Sequence, residues 1–445
     1  DLHGPSVDVD EARVPCPLDP GHTVRASRLA AHLATCTAAK RIAATQTRPW
    51  YDAGCNAGDC DASDPPPPSS GDDDQAGSAR RADAVVEDVV DACCCGDDAV
   101  LPPAFSSESR LRREEETTPT TRAERHAQQG AAIAAMLAKT VPTDSSTSST
   151  SDDPQGEDGS TSRRSIELNN AETLIIDLGA GRGGLAAAMR AAFPRAAVCC
   201  VERQGVRRKC DAALRLASSA GFSRVRCDLR DLRVAGLPGA PGRRWVGVAK
   251  HLCGAATDLA LRGLAREPAC VALAIATCCH HRCDWATYVG KSDLEAAFLK
   301  ASQKAASSGG AAAEDPSSDQ HHVDHLFAAV ARRSSWALAP PRGGPPGDHR
   351  SSIPTTTIQD DEDDDDDEHQ APGDPPPEEN SAPNTAKREL GRRCKRLLDR
   401  GRLAYLRRHG FVAEYVPYCN AALSPENALL VAWRPSSSEG RETPR

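Results

Sequence analysis

Between residues 174 and 278 the apolar positions fall in five short runs, and each run ends on a polar or reactive residue. Leu174-Ile175-Ile176 closes on Asp177, Ala197 to Val201 on Glu202, and Arg224 to Cys227 on Asp228, with Asp231 close behind. Trp245 to Ala249 runs into Lys250 and His251, and Val271 to Ala276 runs into Thr277 and Cys278. Short, nearly continuous apolar runs suit strands covered on both faces. Leu185 to Phe193, Arg207 to Ala220 and Thr257 to Leu264 carry helical patterns between them. Strands alternating with helices predict an α/β fold, an open sheet with helices on both faces. Ligands of such sheets bind beyond the carboxyl ends of the strands, where the polar residues cluster here.

The first of these strands passes into Gly179, Gly181 and Gly183 and then an Ala-rich helix. Glycines without a Cβ let a backbone approach a bound nucleoside closely, and the following helix start offers unsatisfied N–H groups. Glu202, about 25 residues on, occupies the strand tip at which such sheets hold ribose hydroxyls. Towards the C-terminus, Val323 to Trp336 reads as a returning helix of the same domain. A helix from Ala386 follows, with ten cations between Lys387 and Arg408 beside Leu390, Leu397, Leu398, Leu403 and Leu406. Its cations suit phosphate contact or a solvated face. Phe411 to Pro417 and Ala428 to Trp433 read as a closing strand pair.

Composition narrows how much of the chain can pack. Aromatic residues make up only 4% of the 445, with 33 Gly and 33 Pro. Residues 52–165 read as a mostly disordered linker, and low-complexity inserts are expected near 302–320 and 340–385. Within the linker, Ala123 to Leu137 has an amphipathic pattern that fits either a helix docked on the catalytic domain or a transient one. The unbroken acidic run Asp360 to Glu368 matches the whole formal charge of −9, so the remainder is balanced and leaves a nucleic-acid partner open. That run reads as a solvated insert, or as a mimic of RNA competing for a basic groove. Adjacent cysteines such as Cys199-Cys200 and Cys278-Cys279 do not form a disulfide framework; they point to a reducing, intracellular setting, nucleus or cytoplasm. No apolar stretch approaches transmembrane length, and no obligate protein partner is evident. The chain opens on Asp1 rather than Met, which leaves room for an upstream segment.

Residues 12–40 carry a separate chemistry. Cys16, His22, His32 and Cys36 have the spacing C-x5-H-x9-H-x3-C. A helix over Ser27 to Thr37 would put His32 and Cys36 on one face, and the loop holding Cys16 and His22 can fold over it. Two thiolates and two imidazoles suit tetrahedral structural zinc, which a segment this small needs in order to fold. The cluster Cys278, Cys279, His280, His281 and Cys283 is also rich in ligand types. Neighbours on extended chain face opposite ways, however, so small core residues at a strand end are expected there instead.

Together, "VPCPLDPGHT", "KHLCGAATDLALR", "CCHHRCDW" with "YVGK", "RGRLAYL" and "SPEN" resemble the eukaryotic tRNA ribose 2′-O-methyltransferases that act at the fourth nucleotide of the acceptor stem. The finger is similar to the CHHC type of spliceosomal and gametocyte-specific proteins. The resemblance covers residues 14–51, 166–300 and 323–433. It implies a Rossmann-like class I methyltransferase sheet over residues 166–435, S-adenosylmethionine as cofactor, zinc in the finger and tRNA as partner. It places Asp177, Gly179, Gly181 and Gly183 around the methionine moiety, Glu202 on the ribose and Asp228 near the adenine. Lys250 would support the developing alkoxide or act as base, unless it pairs with an acid such as Asp258. His251, His280 and His281 are alternative proton carriers, and Glu426 would orient one of them. A catalytically silent RNA-binding protein, or a methyltransferase of another substrate class, would share parts of this pattern.

Overall fold

A computed structural model describes residues 12–58, 86–87, 89–90, 121–140, 168–206, 208, 210–217, 220–295, 298–299, 317–338 and 382–435. The acidic run at 360–368 and most of both inserts lie outside them. Two compact units are formed, the finger up to Arg48 and the sheet unit over Pro49–Ala339 and from Ala386 onward.

In the finger, β1 (Arg13–Cys16) and β2 (Asp19–Arg25) pair as an antiparallel hairpin. Two short helices follow, α1 (Leu29–Thr35) and α2 (Thr37–Gln46). The helix expected over Ser27 to Thr37 therefore stops at Thr35. Cys36 is extended, with φ −56° and ψ 133°, and its N–H still bonds the His32 carbonyl.

The sheet unit holds seven strands: β3 (Thr173–Leu178), β4 (Ala197–Val201), β5 (Phe222–Val225), β6 (Arg244–Cys253), β7 (Cys270–Cys278), β8 (Val412–Pro417) and β9 (Ala428–Trp433). Their order is β5-β4-β3-β6-β7-β9-β8. The first five run parallel, while β9 is antiparallel to both β7 and β8. From β3 the chain steps outward to β4 and β5, then returns to β6 on the other side. This reversal opens a crevice at the carboxyl ends of β3 and β6, the usual ligand position in open α/β sheets.

Both faces of the sheet are covered because its strands are apolar on both. Leu174, Ile176 and Leu178 of β3 pack with Leu259, Leu261 and Leu264 of α6 (Ala255–Ala265) and with Leu403 and Leu406 of α8 (Ala382–Arg408). Ile175 faces the other way, towards Leu185 and Met189 of α4 (Gly184–Ala192) and Ile133 and Leu137 of α3 (Arg122–Thr140). Part of the expected linker is therefore built into the sheet unit: α3 lies within 52–165. So does Asn56, whose amide donates to the Leu229 and Leu232 carbonyls, and Tyr51, just before the linker, bridges to Leu232. Two helices differ in extent. α5 covers only Asp211–Leu216, and α7 runs over Ser317–Arg333 before a short 3-10 turn.

Candidate active site and zinc finger

The glycine turn after β3 is held by charged groups from two neighbouring strands. The Gly181 N–H donates to Glu202 Oε2 at 2.9 Å, and Glu202 Oε1 accepts from the Gln204 N–H at 2.8 Å. Arg224, on β5, donates Nη1 to the Gly181 carbonyl at 3.0 Å while gripping Asp211 at 2.8 Å. Gly181 has φ +49°, and a Cβ there would meet no protein atom within 4 Å. The turn thus presents bare backbone to open space. Asp177 sits beneath it, 1% exposed, accepting from the Ala186 N–H at the start of α4. Burial raises its carboxyl to about 7, against the Ala186 bond and the Arg224 charge. Asp177 is therefore a buried brace for the turn. Asp228, at the end of the β5 segment, caps the next short turn by accepting from Arg230 N and meets Arg203 Nη1 at 3.4 Å.

Lys250 lies within β6 rather than beyond it, because the strand continues to Cys253 through an irregularity between Lys250 and Leu252. The distortion centres on His251, with φ +64°. The ammonium meets three groups of α3: His126 Nδ1 at 3.0 Å, the His126 carbonyl at 3.0 Å and Gln129 Oε1 at 3.2 Å. Desolvation lowers Lys250 to about 8, despite the opposing charge of nearby Asp177. His126 is lowered too, by burial and then by Lys250. His251 is exposed as a residue, but its ring stands edge-on to His126 at 5.6 Å. The resulting desolvation, with the Lys250 and His126 charges, pulls it down to about 4. Gln129, 4% exposed, also donates to the Leu423 carbonyl at 3.0 Å, which ties α3 to the β8–β9 connection. The residues meeting at the crevice are thus Lys250, His251, His126 and Gln129.

The other expected proton carriers are elsewhere or engaged. His280 is 1% exposed and bonds Asp399 Oδ2 through Nε2 at 2.8 Å. Asp399 also accepts from Thr277 and from Arg402 Nη1 at 2.9 Å, and Arg402 holds Asp258 through Nη2 at 2.7 Å. Burial would raise Asp399, but the His280 and Arg402 charges and bonds hold it well below the usual carboxylate range. Asp258 is therefore the partner of Arg402 and not of Lys250. His281 is exposed in the loop after β7. Glu426 takes both bonds from Lys395 Nζ at 2.6 Å and orients that lysine rather than a histidine.

The cations of helix α8 are likewise engaged in large part. Arg402 is fully buried, Lys395 is 9% exposed, and Arg408 pairs with Asp293 at 2.6 Å. Arg392 and Arg396 share Glu389, Arg407 bonds the Ala413 carbonyl, and Lys387 lies over Trp336. Most of this helix's charge is answered from within the unit. Two of the shared sequence motifs meet here: a side chain on Gly401 would collide with the Tyr288 hydroxyl, which itself bonds the Leu398 carbonyl.

At the ends of β6 and β7, Cys253, Cys278 and Cys279 converge. Cys279 has φ +49°, so its side chain turns to the same side as Cys278 instead of the opposite one. The expectation of two inert strand-end cysteines is thereby revised. His280 and Cys283 do not join the three thiols; Cys283 lies on Arg402. Hydrogen bonding from Cys278 draws the Cys253 thiol down to about 6, against its burial, while the same contact raises Cys278.

In the finger, Cys16, His22, His32 and Cys36 bring one donor atom each within 4.8 Å of one another. The two sulfurs are 4.0 Å apart, the two Nε2 atoms 3.0 Å, and Cys36 Sγ lies 3.6 Å from His22 Nε2. Tetrahedral zinc, with bonds of about 2.0 to 2.3 Å, needs separations of about 3.3 to 3.8 Å between donors. The donor set and spacing fit such an ion.

Sequence reasoning did not single out His126, Gln129, Arg224 or Cys253. Arg224 had a signal, a cation inside an apolar strand that has to be paired, whereas Cys253 stood in a quoted motif without a partner in view.

The fold and its two sites are an open α/β sheet with a glycine-turn crevice and, separately, a cluster of two cysteines and two histidines with zinc spacing. Residues 161–433 match the family Methyltransferase TRM13, and residues 13–37 match the U11-48K-like CHHC zinc finger. The chain belongs to the TRM13 methyltransferase family. Among its relatives, the tRNA:m(4)X modification enzyme TRM13 homolog of Mus musculus is 27% identical over 62% of this chain and 63% of its own length. The Homo sapiens homolog is 29% identical over 31% and 38%. The TRM13 enzyme of Eremothecium gossypii is 49% identical over 17% of each chain. This chain thus spans less than two thirds of the curated relatives it matches. A solved structure, that of the mitomycin 7-O-methyltransferase MmcR, aligns with TM-score 0.21 and 18% identity over 34% of this chain and 35% of its own, and carries no argument.

Proposed function

We propose that the sheet unit is a Rossmann-like class I methyltransferase that transfers a methyl group from S-adenosylmethionine to a ribose 2′-hydroxyl of tRNA, at the fourth nucleotide of the acceptor stem. The observation that carries this reading is Lys250. It stands at the crevice between β3 and β6, desolvated and bonded by α3, in a chain of the TRM13 family.

The cradle fits the cofactor. Bare backbone at Gly181 and acids at the next two strand ends, Glu202 and Asp228, suit a nucleoside with free ribose hydroxyls and a polar purine edge. When bound, S-adenosylmethionine supplies a methyl already activated as a sulfonium. Gly179, Gly181 and Gly183 keep the turn close to the methionine moiety, with Asp177 and Arg224 supporting them from below. The part of this chain is to align the ribose hydroxyl for that methyl and take the hydroxyl proton on the Lys250 amine. The amine accepts that proton only when neutral, and the arrangement allows this. The His126 carbonyl and Gln129 Oε1 take its two N–H bonds, so the lone pair is free for the hydroxyl proton once the His126 ring yields the third direction to substrate. His251 and His281 stand as alternative carriers; His280, buried on Asp399, serves the fold.

The finger, closed around zinc by four protein ligands, performs no chemistry and contributes RNA contact. No helix among the described residues is long and apolar enough to cross a membrane. A nuclear or cytoplasmic location is part of the same proposal. The reading is tested by supplying labelled S-adenosylmethionine with total tRNA, total protein or buffer alone, then mapping the modified nucleotide. Label in a 2′-O-methyl group at position 4 of tRNA is expected. Label only in protein, or none anywhere, overturns it.

A further inference from the structure

Cys253, Cys278 and Cys279 form a thiol cluster that the methyl-transfer reading leaves unused. The strands bring two of them side by side: Cys253 and Cys278 are register partners in the parallel pair β6–β7, with sulfurs 3.7 Å apart. The third arrives through backbone that side-chain-bearing residues rarely adopt. Cys279 and His251 are the two positive-φ residues other than glycine among the described residues; one supplies the third thiol just past β7, the other stands two residues before Cys253 on β6. Between His251 and the start of α6, Gly254 adopts φ 55° and ψ −127°, and a Cβ there would run into the Arg282 backbone. Left-handed and glycine-only conformations persist where the surrounding structure imposes them, and they concentrate at ligand clamps. Here their combined effect is to point three thiols at one place.

We infer that Cys253, Cys278 and Cys279 bind a zinc ion as thiolates, joining the ends of β6 and β7 by a metal site separate from the finger. The three sulfurs lie within 4.8 Å of one another, and tetrahedral zinc at Zn–S of about 2.3 Å places thiolates about 3.8 Å apart. The finger offers a benchmark in the same molecule, since its own sulfur pair stands 4.0 Å apart. All-sulfur donors favour zinc over magnesium or calcium, which take oxygen. Among the described residues no fourth His, Cys, Asp or Glu joins the group, so the remaining position falls to water. Three thiol protons leave as the ion enters. A disulfide between Cys253 and Cys278 is the competing use of the pair, but it would leave the inward turn of Cys279 without a purpose.

The test is metal analysis of the full chain, purified without chelator, by elemental mass spectrometry. Two zinc ions per chain are expected for the wild type and one after the finger is emptied by Cys16→Ser with Cys36→Ser. None should remain when Cys278→Ala is added. Cobalt loaded into the finger-less chain should show thiolate charge-transfer absorption that weakens in Cys279→Ala, a half-buried position whose change spares the strand. Circular dichroism of each variant shows whether it is folded, and Cys279→Ala stands in for Cys278→Ala should the latter unfold. Zinc absent from the folded finger-less chain overturns the inference. So does zinc that persists in the cysteine variant, iron accompanied by acid-labile sulfide, or a mass two hydrogens short that maps to a Cys253–Cys278 disulfide.

Discussion

Two long helices, α3 and α8, pack on opposite faces of the same sheet and put their polar side chains to different uses. α3 is Ala-rich and nearly featureless, yet His126 and Gln129 reach the crevice and surround Lys250. α8 carries ten cations, and their partners are largely internal: Asp258, Asp399, Glu426, Asp293 and Glu389. Density of charge along a helix is thus no measure of what the helix offers to a ligand. What matters is whether an acid elsewhere in the fold already meets each cation, and burial decides how firmly the pair is held.

The largest effect expected from this contrast is at Arg402. Arg402→Met strips the counter-charge from two buried carboxylates, and breaking a buried pair from one side costs about 3–5 kcal/mol. Thermal unfolding should show the loss, and unchanged stability would mean that α8 does not serve as the internal support described. Lys250→Ala is expected to cost less in stability and more in chemistry. With cofactor and tRNA saturating, single-turnover transfer should slow by about 10²-fold or more, the scale of a lost acid–base group. Transfer within a few-fold of wild type would move the role to His251 or His281.

Gln129→Ala sharpens the other side of the comparison. It leaves the buried Leu423 carbonyl without its donor, a loss of about 1–3 kcal/mol, measurable by urea unfolding. An unchanged midpoint would show that α3 is not docked in solution. The smallest effect belongs to the outer cations of α8. Arg392→Gln, which breaks an exposed pair with Glu389, should change stability by less than about 1 kcal/mol, and adding Arg396→Gln, at a partly buried pair, by somewhat more. The salt dependence of tRNA affinity should stay near that of wild type; a slope flatter by about one unit per residue would restore a phosphate-binding role.

The parts of this architecture that could be read from the chain were those written in consecutive residues. Apolar runs closing on Asp177, Glu202, Asp228 and Lys250 gave the strands and their ligand-facing ends, and four ligand types within a short segment gave the finger. What stayed hidden depends on contacts across long sequence separations. Gln129 meets Leu423, Asp258 meets Arg402, and Lys250 meets a helix that begins more than a hundred residues earlier. The helix over Ala123 to Leu137 was legible and its docked alternative holds. Low-complexity sequence brackets it and alanine gives a weak amphipathic signal, so the pattern alone did not decide between docked and transient. Cys279 was misjudged because the alternation rule assumes extended backbone, and its φ of +49° breaks that assumption.

The central claim is that Lys250, made less basic by desolvation against α3, accepts the ribose proton. The most direct test is the pH dependence of single-turnover methyl transfer to tRNA with both substrates saturating. The neutral amine is the active form, and Lys250 is lowered to about 8, so the rate should rise with pH through that region and level off above it. Lys250→Arg, which stays charged throughout, should abolish the rising limb. A wild-type rate that falls as pH passes 8 would show that the ammonium charge is what the reaction needs. A flat profile in both proteins would contradict any titrating role for Lys250.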